Sequence, residues 1–171
     1  MDIIIREATT ADVEAIARIH VDSWRAAYRD IIPPEIIEGR TLEQRIRQWR
    51  GIIDDAGSNG SWVQVALVAG EVIGFVSSKS SGDPDSGGAG EVSAIYVAPR
   101  HWRGGAGTAL LHAALGALRR AGFREATLWV LEDNVRARAF YERRGWAPDG
   151  TGQALGNTTI VEVRYRTSLL D

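Results

Sequence analysis

The segment that most constrains this chain runs from Glu91 to Leu111. Glu91-Val-Ser-Ala-Ile-Tyr-Val97 is β-rich, Ala98-Pro99 ends it, Arg103-Gly-Gly-Ala-Gly-Thr108 is rich in glycine, and an apolar stretch follows at once. A strand that feeds such a turn and then a helix points several backbone N–H groups at one spot. The positive end of the helix lies behind them. That layout binds phosphate. Glu91 heads the same strand, so one short segment offers both a phosphate cradle and a candidate base.

The flanking periodicities say what this unit is built into. Ile3 to Arg6 reads as a first strand. Val13, Ile16, Ala17, His20, Trp24 and Tyr28 recur at helical spacing after Thr9-Thr10, a run that Pro33-Pro34 ends. Thr41-Leu-Glu-Gln44 is a capping-box pattern that opens a second helix on Leu42, Ile46 and Trp49. Trp62–Val68 and Val72–Ser77, split by Ala69-Gly70-Glu71, predict an antiparallel hairpin. Ser80 to Gly90 reads as an exposed, mobile loop. After Glu91–Val97, a helix is expected from about Gly107 to Ala121. Ala126–Val130 is expected as a strand covered on both faces, then a short helix capped by Asn134 and ended by Gly145. Pro148 to Gly152 reads as a turn and Ile160 to Arg166 as a last strand. The expected class is α/β, with a mixed sheet carrying helices on both faces.

The 171 residues suit one domain spanning residues 1–171. A formal net charge of −2 gives no reason to expect nucleic acid or an anionic membrane as partner. Cysteine is absent, which excludes disulfides, zinc-thiolate sites and a thiol nucleophile. His20, His101 and His112 show no ligand spacing, so no metal is expected. Met1 to Glu7 is too short and charged for a signal peptide, and no apolar run approaches the ~20 residues of a membrane span. The expected compartment is the cytoplasm.

Three glycine-loop chemistries compete for residues 103–108. A P-loop needs a Lys beside the Thr, and Gly107 stands there. A dinucleotide fingerprint needs a third glycine, which Gly105-Ala-Gly107-Thr-Ala-Leu110 lacks, although Glu132 and Asp133 do follow a strand. The third is coenzyme A. Val97-Ala-Pro99, Gly105-Ala-Gly107 and Leu110-Leu111 resemble the central pattern of the GNAT superfamily of acyl-CoA-dependent N-acetyltransferases, with Trp102 where the family carries Arg or Gln and the arginine one residue later at Arg103. Asn134-Val-Arg-Ala137 and Phe140-Tyr141, followed by Gly145-Trp146, resemble a second family motif. Ile19 to Tyr28 looks like the first helix of many bacterial members.

This resemblance implies a mostly antiparallel sheet whose strands splay at an acetyl-CoA site. It implies that Arg103, Gly104, Gly105, Ala106, Gly107 and Thr108 hold the pyrophosphate, and that the pantetheine arm lies along Ile95, Tyr96 and Val97. Asn134 would contact the cofactor or cap its helix. Tyr141 would protonate the departing sulfur, and Glu91 would serve as general base through water. Trp24 and Tyr28 would divide between core packing and an aromatic wall for the acceptor. Arg119, Arg120 and Arg124 suit the end of a helix and, less directly, a CoA phosphate. The acceptor would be a small-molecule or peptide amine, and a homodimer is an assembly common in the family. Two other readings are a non-catalytic CoA-binding module of the same fold and a nucleotide-dependent oxidoreductase.

Overall fold

The computed structural model describes residues 2–170. Its frame is a seven-stranded sheet in the order β1-β2-β3-β4-β5-β7-β6. The strands are β1 (Ile4–Glu7), β2 (Ser61–Val68), β3 (Glu71–Ser80), β4 (Gly90–Val97), β5 (Glu125–Leu131), β6 (Ala147–Ala154) and β7 (Val161–Ser168). Neighbours are antiparallel except for β4 and β5, which run parallel. The helices are α1 (Val13–Tyr28), α2 (Pro34–Glu38), α3 (Leu42–Asp55), α4 (Ala106–Arg120) and α5 (Val135–Glu142).

Strand pleating divides the apolar side chains between two cores. Val63, Val65 and Phe75 meet Val13, Ile16, Ala17, Trp49 and Ile53 of α1 and α3 on one face. Val76, Val92, Leu128 and Tyr165 meet Leu110, Leu111 and Leu118 of α4 on the other, joined there by Tyr141 and Trp146. α4 lies close against the sheet because β4 begins with glycine. A Cβ on Gly90 would stand 2.6 Å from Leu118 Cδ2. Thr41 caps α3 as its sequence predicts, accepting from the Gln44 amide at 3.3 Å while Gln44 Oε1 accepts from the Thr41 amide at 3.2 Å.

The sheet opens in its middle. β4 and β5 pair only at Gly90–Ala126 and Glu91–Thr127. Along β3, Ser78 faces Val92 and Ser77 faces Ala94, so Ser93 is an extra residue on β4. Such a bulge bends and twists the strand that carries it. Beyond it Ala94–Val97 stay with β3, while β5 stays with β7 as far as Leu131. The two strands diverge into a V, the splay that the family resemblance implies.

Three local expectations change. Pro33-Pro34 does end α1, but Pro34 also opens the five-residue helix α2. A proline at the first helical position loses only an N–H that would have had no partner. Pro148 to Gly152 is not a free turn: it lies within β6, which pairs with β7 across a register shift. The Ser80–Gly90 connection is surface-exposed for most of its length, as expected, but it is anchored to the sheet. Arg164, 3% exposed, donates to Asp83, Asp85, Asp149 and Thr151. The Trp129 indole also donates to Asp83 at 3.1 Å.

Candidate active site

A cleft of about 840 Å³ fills the opening between β4 and β5. Its walls come from the last turns of α1, the splayed halves of β4 and β5, the turn before α4, and α5.

At one end the turn presents main chain. Gly105 caps α4 with φ of 89°, and Arg103 also adopts a left-handed conformation, φ 65°. Such backbone suits glycine and is unusual for arginine, so the turn stores local strain. Its product is a set of free donors. The amides of Arg103, Gly105, Ala106, Gly107 and Thr108 have no acceptor among the described residues, whereas Gly104 N–H reaches the His101 carbonyl at 3.4 Å. A diphosphate fits this cradle: the donors converge at the N-terminus of a 15-residue helix.

Cations surround these amides. Arg103, Arg136, Arg143 and Arg144 line the cleft, while Arg119, Arg120 and Arg124 do not. The Arg136 guanidinium stacks 3.8 Å over the Trp102 ring, and Trp102 Nε1 donates to the Val97 carbonyl at 2.7 Å. Burial and then the Arg103 charge push the Arg136 pKa down. Arg144 stacks 3.8 Å over Phe140 and donates to Thr108 Oγ1 at 2.6 Å. The sequence points to Arg103 in this turn and explains Arg119, Arg120 and Arg124 first as helix-end charges, but it passes over Arg136, Arg143 and Arg144. The usable signal lay in the second motif, where Arg136, Phe140, Arg143 and Arg144 recur at helical spacing.

Along β4, Ile95, Tyr96 and Val97 border the cleft. The Val97 carbonyl is already engaged by Trp102 and by Ser23 Oγ at 3.0 Å. Ile95 shares that strand edge, since alternate residues point their main-chain groups the same way. The Tyr96 side chain belongs to the opposite face. Its hydroxyl accepts from Trp24 Nε1 at 2.9 Å and from the Tyr28 hydroxyl.

Tyr141 of α5 sits at the fork. It is 8% exposed and packs against Phe140 and Trp146. Its hydroxyl has no hydrogen-bond partner among the described residues, and the residue lines the cleft. Burial, then the nearby Tyr96, raise its pKa, so it keeps its proton. Asn134 lines the cleft and also caps α5, with Oδ1 accepting from the Ala137 amide at 3.1 Å.

Glu91 lies where β4 and β5 still pair, opposite Lys79 and on the face that carries Phe75 and Ser77. It is half-buried and is not itself part of the cleft wall, which Val92, Ser93 and Ala94 form nearest to it. Burial raises its pKa, Lys79 opposes that, and Asp83 and Glu162 add to it. Glu162 on β7, which pattern reading passed over, does line the cleft. Burial raises its pKa too, and Gln153 Nε2 donates to it at 3.3 Å. Register alone carried a signal for Glu162: an acidic side chain stands across from apolar Leu131.

Trp24 is almost wholly buried and Tyr28 half-buried, and both reach the cleft. They meet edge to face at 4.8 Å. His20 is a core histidine, as its position on an apolar stripe predicts. Nδ1 accepts from Trp49 Nε1 at 3.0 Å, the ring stacks on Tyr96, and burial with the charges of Arg45 and Arg40 pushes its pKa down to about 3. Among the described residues no three His, Cys, Asp or Glu side chains gather as a metal site. No helix among them is long and apolar enough to cross a membrane.

The comparisons with known proteins agree with this geometry. The chain is similar to the uncharacterized N-acetyltransferase YuaI of Bacillus subtilis (strain 168), at 33% identity over 96% of this chain and 89% of that one. It is 23% identical to a spermidine N(1)-acetyltransferase of Thermoplasma acidophilum over 98% of this chain and 100% of the other. The fold matches that of the crystallised PaiA N-acetyltransferase from Thermoplasma acidophilum in complex with coenzyme A, with a TM-score of 0.80 at 23% identity over 96% and 98% of the two chains. A profile of the acetyltransferase (GNAT) family matches residues 14–146. The chain therefore belongs to the GNAT acetyltransferase family.

Proposed function

We propose that residues 1–171 act as one acetyl-CoA-dependent N-acetyltransferase domain that transfers the acetyl group directly to a primary amine. The observation that carries this reading is a coincidence of place. Free amides at Arg103, Gly105, Gly107 and Thr108, an open strand edge at Ile95 and an unpartnered Tyr141 hydroxyl all border one cleft. The coenzyme A bound to the structural relative supports the choice of ligand.

Acetyl-CoA supplies the thioester carbonyl. The cradle amides and the arginines around them neutralise the diphosphate. Main chain at Ile95 aligns the arm as an added strand would. The reaction forms a C–N bond and breaks the C–S bond. The amine must lose a proton, and the sulfur must gain one. Tyr141 delivers the second from its buried hydroxyl. Glu91 takes the first through water, its raised pKa bringing it nearer to the pH at which an amine is deprotonated. Trp24 and Tyr28 form the aromatic wall on the acceptor side, and Glu162 stands across from them as a carboxylate for the incoming ammonium. With no cysteine in the chain, no acyl-cysteine is formed on the way.

The test is release of free thiol from acetyl-CoA across a panel of primary amines, with acetylated product identified by mass. The reading predicts turnover that depends on the amine. Tight CoA binding without turnover for any amine, unchanged by Tyr141→Phe, would instead indicate a module that holds CoA without using it.

A further inference from the structure

Two buried arginines in this protein are treated in opposite ways. Arg164 is surrounded by carboxylates. Arg45, in the first turn of α3, is 9% exposed and has no carboxylate within 4 Å among the described residues. Its hydrogen bond goes to the neutral Gln48 Oε1, at 2.6 Å. A desolvated cation without a counter-charge is costly, and proteins rarely keep one. The cost is raised further by a second cation. Arg40, half-buried, stacks 3.9 Å over the Trp24 ring, while the Arg45 guanidinium carbon is 6.0 Å from the same ring. No side-chain acceptor or carboxylate engages the Arg40 guanidinium among the described residues. Burial and the Arg40 charge both push the Arg45 pKa down. Both residues also stand at the N-terminus of a 14-residue helix, the end whose dipole repels cations and attracts anions.

The location gives this pair a purpose. Trp24 is the ring on which both converge, and its indole N–H donates to the Tyr96 hydroxyl on the cleft wall. Tyr28, at 4.8 Å, continues that wall. Arg40 also acts on Glu162, opposing the burial that raises the pKa of that cleft carboxylate. We propose that Arg40 and Arg45 bind an anionic group carried by the acceptor (a carboxylate, phosphonate or sulfonate), so that the acceptor is an amine bearing its own acid rather than a polycation. This rests on the acetyltransferase reading and adds the acceptor's chemical class to it. The acid docks against Trp24 at the start of α3, and the amine extends past Tyr28 and Tyr96 toward the fork. Two guanidinium groups offer planar, paired donors to such an oxyanion.

The experiment uses matched acceptors: amino acids and aminoalkylphosphonates against their methyl esters, with spermidine as a polycation, in the thiol-release assay. Esters carry the more nucleophilic amine at neutral pH, so chemistry alone favours them. The acids are expected to win by about tenfold in kcat/KM, the worth of one charge-assisted contact. That ratio should fall toward one in Arg40→Gln, at a half-exposed site, and in Arg45→Gln. A preference for esters or spermidine, or an acid preference that neither variant changes, overturns the proposal. Should no pair turn over, thermal unfolding in inorganic sulfate decides. A stabilisation that Arg40→Gln lacks supports the anion site, and no stabilisation overturns it. Calorimetric binding of CoA, read separately, reports on the acetyltransferase reading and stays positive if only the acceptor assignment fails.

Discussion

The wall assigned to the diphosphate and the wall assigned to the acceptor face each other across one cleft but are made of different material. On the first, the working groups are the five free main-chain amides of residues 103 and 105–108, around a left-handed Gly105. On the second, they are side chains gathered from distant parts of the chain: Trp24 and Tyr28 from α1, Tyr96 from β4 and Glu162 from β7 line the cleft, and Arg40 and Arg45, around the start of α3, stand behind Trp24 without lining it. A local turn can be specified by a few adjacent residues and kept while everything else varies. A wall assembled from many elements changes whenever one of them does.

The largest expected effect lies outside both walls, at the buried Arg164 that ties the 81–89 segment to the sheet. Arg164→Met should lower unfolding stability by about 3 kcal/mol in urea titrations, because Asp83 and Asp149 lose a buried counter-charge. Acidification should do the same in the parent. Hydrogen bonds from Arg164 hold the pKa of Asp85 below its ordinary 3.8, and for Asp149 burial pushes up while Arg164 and Thr151 together bring it below that value. Their contribution is complete above pH 3.8 and disappears as pH falls through the lower folded values. Arg164→Met should lack that part of the acid slope. A loss under about 1 kcal/mol would mean that the 81–89 segment is not held by this residue.

Next comes the fork between the walls. Tyr141→Phe should reduce kcat about a hundredfold and change CoA affinity less than threefold, since it removes a proton donor and keeps the ring. Equal losses in both quantities would make Tyr141 a packing residue. On the diphosphate wall, Gly105→Ala forces φ of 89° on a residue with a Cβ and should weaken CoA binding about tenfold by calorimetry. Any loss there that also alters the ranking of acceptors would contradict the separation of the two walls. The smallest effect is on pH dependence. A general base must be deprotonated, so kcat/KM should rise with pH through the raised pKa of Glu91. Glu162 contributes to raising it, and Glu162→Gln should therefore move that acid limb to lower pH. A limb that stays in place would assign it to another group.

The same contrast governs what could be read from the sequence. The cradle was legible because a strand, a glycine turn and a helix start are encoded in consecutive letters. So was the Thr41 capping box, and so was His20 as core. The splay followed from family resemblance, but its cause, a bulge at Ser93, leaves no mark in a β-rich run. The anchoring of the 81–89 segment was hidden because its partner Arg164 lies 79 residues beyond Asp85. Its glycines and serines suggest a free loop, and one buried guanidinium ties it to the sheet. Pro33-Pro34 concealed α2, since a proline that stops one helix can begin another. Glu162, Arg40 and Arg45 are ordinary charged letters until sheet register brings the first to the cleft and helix packing brings the other two to Trp24.

The measurement closest to the central claim is a ¹H–¹⁵N spectrum of the protein titrated with coenzyme A. The account predicts saturable shifts largest at the amides of Arg103, Gly105, Ala106, Gly107 and Thr108, with the Ile95 amide following. Binding that leaves those five amides unmoved, or no binding at all, would contradict it.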